Sequence, residues 1–254
     1  NQSAYIFHHD ITELPNNNLA AAVSKTGSQV IIDGSEVTSK QDHMIELNRN
    51  SGSILQEWDL REILDVDRKL NPSDAGYWLH MNSLAYSRYD DTYIISGKNQ
   101  GVFKTDRNND LVWILAPHQN WGRSGWDGNG IFQCENYLLN AINDAGEILS
   151  DDIQNGNNAD EDFDWPWGQH AITLLDNGNI LLFDNGVNRT NGQASVNYSR
   201  AVEYEISENN KTVKQVWEYG KIKGEAAYSE IMGDVDQLQE TGNRLICFSG
   251  INYE

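Results

Sequence analysis

The sequence predicts an all-β protein built from repeated four-stranded sheets, and three observations support this fold class. Apolar stretches of strand length follow one another along most of the chain. Tight turns rich in Asn, Asp and Gly separate them, as short hairpins require. Helical periodicity is weak throughout, and only Leu60 to Leu70 is expected to form a short helix.

One layout recurs four times: an apolar strand, a tight polar turn and a second apolar strand. The four copies begin at His8, Met81, Gln169 and Gly233. In the first three copies two more strands are expected, over His43 to Asn48 with Ser53 to Leu60, Gly101 to Asp106 with Leu111 to Ala116, and Ser199 to Ser207 with Thr212 to Tyr219. The last strand of each bears a tryptophan, namely Trp58, Trp113 or Trp217. Repetition of a four-stranded antiparallel unit is typical of a β-propeller.

The domain organisation predicted from this repeat is a single β-propeller domain over residues 1–254, with an irregular, loop-rich segment at 118–167. The fourth unit has only two strands, so we expect a partial propeller, incomplete at the C-terminus. The alternative is that N-terminal residues complete the last blade of a four-bladed ring.

Composition excludes several function classes. The chain has 18 Lys and Arg against 38 Asp and Glu, a formal net charge of −20, which repels phosphate backbones and anionic lipid surfaces. We therefore expect no nucleic-acid partner. The longest apolar runs have strand length, so no insertion into a membrane is expected.

No metal or cofactor is predicted. Cys134 and Cys247 lack metal-ligand spacing and are expected to be free thiols. The acidic stretch from Asp151 to Trp165 lacks the spacing of a calcium-binding loop and is expected to be solvated. No phosphate-binding glycine loop, GxSxG motif or HExxH motif is present in the sequence.

Histidines recur at the start of the first strand of the repeat, which lines the central channel in a propeller. His8, His9, His80 and His170 occupy this position, so we expect side chains distant in sequence to converge on the axis. His43 and His118 lie outside the pattern and are expected to be structural.

Two arginines accompany the third repeat. Arg189 follows a turn at the end of an inner strand, where its guanidinium is expected beside His170 as a donor to an oxyanion. Arg200 lies in an alternating strand, and structural and substrate-binding roles stay equally open for it.

Three runs together resemble the bacterial aryl-sulfate sulfotransferases that use no nucleotide sulfate donor. The runs are WLHMNSLAYSRYDDTYIISGKNQGVFK, DWPWGQHAITLLDNGNILLFDNGVNR, and NYSRAVEYEIS with TVKQVWEYG. The resemblance extends from about His8 to Gly250. It implies a six-bladed propeller, often preceded by a small β-domain, and a secreted or periplasmic location.

The resemblance also implies a two-step reaction, in which a channel histidine takes the sulfuryl group from an aryl sulfate and passes it to a phenol. His80, His170 and Arg189 match catalytic positions of the family. Asn252 matches the position of its nucleophilic histidine, and an asparagine cannot form that intermediate. The alternatives are an inactive relative, another histidine such as His8 or His9, or a nucleophile beyond residue 254.

Predicted substrate ligands are His8, His9, Asn82 and Arg200, and the predicted partners are small phenols and aryl sulfates, with a possible homodimer. Two other functions stay open. One is a non-catalytic propeller that binds carbohydrate, protein or aryl anions, for which exposed Trp121 and Trp126 would supply stacking surfaces. The other is a quinone-dependent dehydrogenase, for which the sequence shows no matching calcium-ligand pattern.

Overall fold

The computed structural model describes residues 4–68, 75–189 and 197–251, and these residues form an all-β structure with a few short helices. The chain divides into two compact units. The first comprises Asn1–Ile114 with Asn120–Tyr137, and the second comprises Leu115–Gln119 with Leu138–Glu254.

The first unit begins with a four-stranded antiparallel sheet. This part of the chain contains six strands, β1 (Tyr5–Glu13), β2 (Leu19–Lys25), β3 (Gln29–Ile32), β4 (Ser35–Thr38), β5 (His43–Leu47) and β6 (Ile54–Asp59). Strands β3 and β4 form a separate hairpin. The sheet order is β1-β2-β5-β6, which is the predicted meander. The β3–β4 hairpin interrupts it and was not predicted.

A second four-stranded sheet follows in the same unit. Its strands are β7 (Met81–Ser87), β8 (Thr92–Gly97), β9 (Gly101–Thr105) and β10 (Leu111–Leu115). They pair in consecutive order, again as predicted. The first strands of the two sheets, β1 and β7, lie against each other.

The second unit contains a five-stranded sheet and a final hairpin. The strands are β11 (Asn140–Ile142), β12 (His170–Leu174), β13 (Ile180–Asp184), β14 (Arg200–Ser207), β15 (Thr212–Tyr219), β16 (Asp234–Gln237) and β17 (Arg244–Cys247). The predicted meander β12-β13-β14-β15 is present, and β11 adds a parallel partner to β15 that the sequence did not predict. Here too the first strands, β12 and β16, are neighbours.

Tryptophans on the last strands pack into the sheets. Trp58 and Trp113 are buried, and the indole of Trp58 donates to the carbonyl oxygen of Asp106 at 2.9 Å, which ties the first sheet to the second. Trp217 packs against the apolar cluster of the second unit. The aromatic residues predicted to end each repeat therefore fill space between or beneath sheets.

Two further expectations concern irregular segments. Of the predicted helix from Leu60 to Leu70, the described residues 60–68 contain one 3-10 turn at Leu60–Glu62, whose N-cap Asp59 accepts from the backbone N–H of Arg61. The last two positions of that prediction lie outside the described residues. The segment 118–167 holds a 3-10 turn at Cys134–Tyr137, the short strand β11 and one helical turn, α1 (Asp151–Gln154).

Within the described ranges, none of the helices has the length and apolar character that crossing a bilayer demands.

Candidate functional site

The first strands of three sheets carry β-bulges at or beside the histidine positions. The pairing register shifts between Phe7 and Ile11 in β1, between Met81 and Ser83 in β7, and between His170 and Thr173 in β12. Nearby backbones have positive φ values, at His9 (46°), His80 (50°) and Ala171 (53°). Positive φ is uncommon for residues with a side chain, and bulges redirect side chains beside functional sites. Sequence periodicity does not reveal these bulges.

In the first unit, His8, His9 and His80 come together as a cluster. The Nδ1 atoms of His8 and His9 are 3.1 Å apart, and the ring centroids of His9 and His80 are 5.2 Å apart. Burial lowers the pKa of His8 from 6.5 to about 4, and desolvation lowers that of His9. Both rings are therefore neutral at pH 7, so their Nδ1 atoms share one hydrogen as donor and acceptor.

The His8 side chain also borders a pocket of about 420 Å³. Lys40 and Tyr77 line the same pocket, with the ammonium of Lys40 lying 5.0 Å from the centre of the Tyr77 ring. Tyr77 in turn lies 5.8 Å from the ring of His80. The cluster of histidines is thus bordered by an aromatic ring and a cation.

In the second unit, β12 and β13 place His170 beside Asn185. The Nδ1 atom of His170 is 2.7 Å from Oδ1 of Asn185, which is fully buried. His170 in β12 pairs with Phe183 in β13. Because β13 ends at Asp184, Asn185 is the first residue after that strand.

Two buried carboxylates bind Arg189, and one of them belongs to Asp184, the residue before Asn185. Its guanidinium donates to the carboxylates of Asp184 and Asp164 and lies 4.2 Å from the centre of the Tyr198 ring. Burial alone would lower the pKa of Arg189, but the two carboxylates hold it above its ordinary value. The positive charge that the sequence predicted is present, and two buried carboxylates balance it.

Arg200 is fully buried and its guanidinium contacts protein groups on every side. It donates to Asp184 (2.8 Å), to Gln215 (2.9 Å) and to the carbonyl oxygen of Asp164 (2.9 Å), and it pairs with Glu218 at 2.5 Å. This placement gives Arg200 a structural role. A role in binding substrate stays a prediction that these contacts do not favour.

A small pocket of about 140 Å³ adjoins this ion-pair network. Arg189, Lys221 and Tyr198 line it, together with Trp167 and Asp164. The pocket therefore presents two cationic side chains and one carboxylate beside aromatic surfaces. Such a lining suits a small anion that carries an aromatic group.

The glycine of the motif FDNGVNR is required by this arrangement. Gly186 has a φ of 73°, and a Cβ atom added there would collide with the carbonyl oxygen of Tyr198. Asp184 thus pairs with the arginines, Asn185 contacts His170, and Gly186 lets the chain turn.

The other predicted residues are more dispersed. Asn82 is buried within the bulge of β7, and Asn252 lies outside the described residues. Cys134 and Cys247 are free thiols, as predicted. His43 and His118 are hydrogen-bonded within the fold, to Asp42 and to the carbonyl of Leu139 respectively.

Sequence reasoning missed the partners of the site residues. Asp164 was assigned to a solvated loop, but it is buried against Arg189. Asp184 and Asn185 belong to the motif FDNGVNR, in which sequence reasoning assigned them no role of their own, and their position at the end of a buried apolar strand is the signal that could have identified them. In the part of the chain that the structure describes, no group of three or more His, Cys, Asp or Glu residues is arranged to hold a metal ion.

Comparison with known proteins agrees with the sequence resemblance. The arylsulfotransferase (ASST) family model matches residues 1–254. The chain is 32% identical over 280 residues to the arylsulfate sulfotransferase AssT of Escherichia coli O6:H1, and 31% identical to the AssT of Lelliottia amnigena. Each match covers 95% of this chain and 45% of the relative, so the chain spans about half the length of the curated relatives it matches.

Proposed function

Because the chain belongs to the arylsulfotransferase family, we propose that it transfers a sulfuryl group from an aryl sulfate ester to a phenolic acceptor. The fold we propose for it is a β-propeller. Consecutive antiparallel sheets whose first strands are neighbours, β1 with β7 and β12 with β16, support that proposal.

The observation that carries the proposal is the pair of consecutive residues at the end of β13. Asp184 holds the guanidinium of Arg189, and Asn185 holds the imidazole of His170. An imidazole and a guanidinium are thereby fixed by one short segment. Fixed donors of this kind stabilise charge on a transferring group without reorganisation during the reaction.

The chemistry assigned to these groups follows from the charges of the reaction. Transfer breaks the S–O bond to the donor phenol, and the departing phenolate takes a proton. Arg189 offers N–H donors to the sulfuryl oxygens, and His170 carries the proton to and from phenolic oxygens, since imidazole titrates near neutral pH.

A two-step route requires a nucleophile that forms a bond to sulfur. We propose that a histidine of the first strands serves, because the amide nitrogen of Asn252 has a delocalised lone pair and is a poor nucleophile. His8 and His9, the alternatives predicted from the sequence, lie next to His80 within the first unit. Their neutral rings each retain a nitrogen lone pair at pH 7.

A second candidate function is non-catalytic binding. A pocket of about 580 Å³ is lined by Trp126, which is 49% exposed, together with Asp127, Asn129 and Phe132. An exposed indole beside amide and carboxylate groups suits a carbohydrate ring. Trp121, in contrast, is buried beneath Arg68, whose guanidinium lies 3.9 Å from the ring centre.

The test is release of nitrophenolate from p-nitrophenyl sulfate, with and without added phenol. The wild-type chain is compared with His170→Ala and with His118→Gln, a matched control outside the first strands. We expect acceptor-dependent release that His170→Ala lowers by about 10²-fold or more and His118→Gln preserves. Full activity in a folded His170→Ala variant would contradict the proposal, and a folded wild-type chain without release would favour non-catalytic binding.

A further inference from the structure

The contact between His170 and Asn185 has a defined direction. Asn185 directs its Nδ2 atom to two backbone carbonyl oxygens, those of Ser229 at 2.8 Å and Met232 at 2.6 Å. Carbonyl oxygens only accept, so both are paired with the amide nitrogen and the amide oxygen faces His170. The surrounding contacts thereby fix the orientation of the amide.

Because an amide oxygen also only accepts, the hydrogen of the 2.7 Å contact belongs to His170. Nδ1 of His170 is therefore the donor. In the neutral ring the second nitrogen, Nε2, then carries the lone pair.

The backbone of Asn185 is held as firmly as its side chain. Its carbonyl oxygen accepts from the hydroxyl of Ser199 at 2.7 Å, and the same hydroxyl accepts from the backbone N–H of Ser229 at 2.8 Å. Asn185, Ser199 and Ser229 are all fully buried. The acceptor offered to His170 is therefore preorganised by neighbours on both sides.

We propose that Asn185 is a positioning residue that holds His170 in the Nδ1–H tautomer, so that Nε2 is the atom that exchanges protons with the phenols. When the donor ester is cleaved, His170 starts as the imidazolium with a hydrogen on both ring nitrogens; its Nε2–H bond breaks, the proton goes to the departing phenolate, and the neutral Nδ1–H ring remains. When the acceptor attacks, its O–H bond breaks and the proton returns to Nε2. The Nδ1–H bond to Asn185 stays intact throughout. The role in catalysis rests on the proposed sulfuryl transfer, whereas the tautomer is measurable without it.

The direct test is ¹⁵N NMR of the histidine side chains at about pH 8, where an ordinary imidazole is neutral. His118 provides an internal control, since its Nε2 atom lies 2.9 Å from the carbonyl oxygen of Leu139 and must donate there. We expect opposite tautomers, Nδ1–H for His170 and Nε2–H for His118. Resonances are assigned with His170→Gln and His118→Gln.

Two substitutions separate the acceptor from the scaffold. Asn185→Ala and Asn185→Asp both lose the amide donors to Ser229 and Met232, but Asn185→Asp keeps an oxygen acceptor for His170. We expect Asn185→Asp to retain the Nδ1–H form and Asn185→Ala to lose it. In Asn185→Ala, kcat is expected to fall by about 10²-fold with little change in KM, because the residue acts through His170 rather than on substrate.

The outcomes for the inference and for the function differ. An Nε2–H ring at His170 in the wild-type chain overturns the inference, even if sulfuryl transfer is found. Retention of the Nδ1–H form in a folded Asn185→Ala variant also overturns it. An Nδ1–H ring together with full transfer in His170→Ala contradicts the proposed function and leaves the hydrogen bond intact. If Asn185→Ala does not fold, the comparison of His170 with His118 in the wild-type chain decides.

Discussion

We expect buried His43 to make the stability of the first unit sensitive to alkaline pH. Its Nδ1 atom is 2.7 Å from a carboxylate oxygen of Asp42, and its Nε2 atom is 3.6 Å from one of Asp59. The indole of Trp78 donates to Ser39 (2.9 Å) and to the same Asp42 (3.2 Å), so the cluster also anchors the segment that precedes β7. Asp42 thereby connects His43 of the first sheet to the segment that precedes β7.

The magnitude follows from the pKa of His43. Burial alone would lower this pKa, but Asp42 and Asp59 raise it from 6.5 to about 9. A pKa raised in the folded state means that folding favours the protonated ring. The contribution, roughly 3 kcal/mol, is fully present below pH 6.5 and is lost as the pH rises from 6.5 to about 9.

The assay is urea unfolding of the wild-type chain and of His43→Gln between about pH 6 and pH 9.5, with His118→Gln as a control. The wild-type free energy of unfolding is expected to fall across this range by roughly 3 kcal/mol more than that of His43→Gln. His118→Gln is expected to follow the wild type. Equal pH dependence in wild type and His43→Gln would refute the reasoning. An NMR titration of His43 in the wild-type chain with a midpoint near pH 6.5 would also refute the reasoning. That measurement needs no folded variant.

Two substitutions at the end of β13 test the framework of the candidate site. Gly186→Ala and Gly178→Ala both place a side chain at positive φ, which costs about 1–2 kcal/mol, but only Gly186→Ala also meets the carbonyl of Tyr198. Thermal unfolding is expected to show a clearly larger loss for Gly186→Ala, and equal losses would contradict the close approach. Asp184→Asn leaves two buried guanidinium groups undercompensated, and we expect about 3–5 kcal/mol of destabilisation by urea unfolding. The exposed Glu240→Gln serves as its control, and a matching small effect in both would show that the ion pairs contribute little.

The sequence predicted most of the strand pairing for a physical reason. Turn residues such as those at Asn177 and Gly178 fix local hairpins, and antiparallel neighbours along the chain then pair in order. The parallel pairing of β11 with β15 joins residues about seventy positions apart, and no local pattern encodes it. The sequence also did not predict the β3–β4 hairpin, whose strands have four residues each.

The candidate site was predicted only in part because its partners are distant in sequence. The first-strand pattern identified His8, His9 and His80, and the structure brings these three together. The partners of Arg189 were not predictable from composition. Asp164 lies in an acidic stretch whose other carboxylates are mostly solvated, and its burial depends on tertiary packing against Arg189 and Tyr198.

The most direct measurement of the central claim is the stoichiometry between nitrophenolate released and sulfated acceptor formed. The wild-type chain is incubated with p-nitrophenyl sulfate and a phenol, nitrophenolate is read by absorbance, and the sulfate ester of the acceptor is quantified by mass spectrometry. Sulfuryl transfer predicts one molecule of acceptor ester for each nitrophenolate, with both lost in His170→Ala. Release accompanied by free sulfate alone, or no release from the folded chain, would contradict the account.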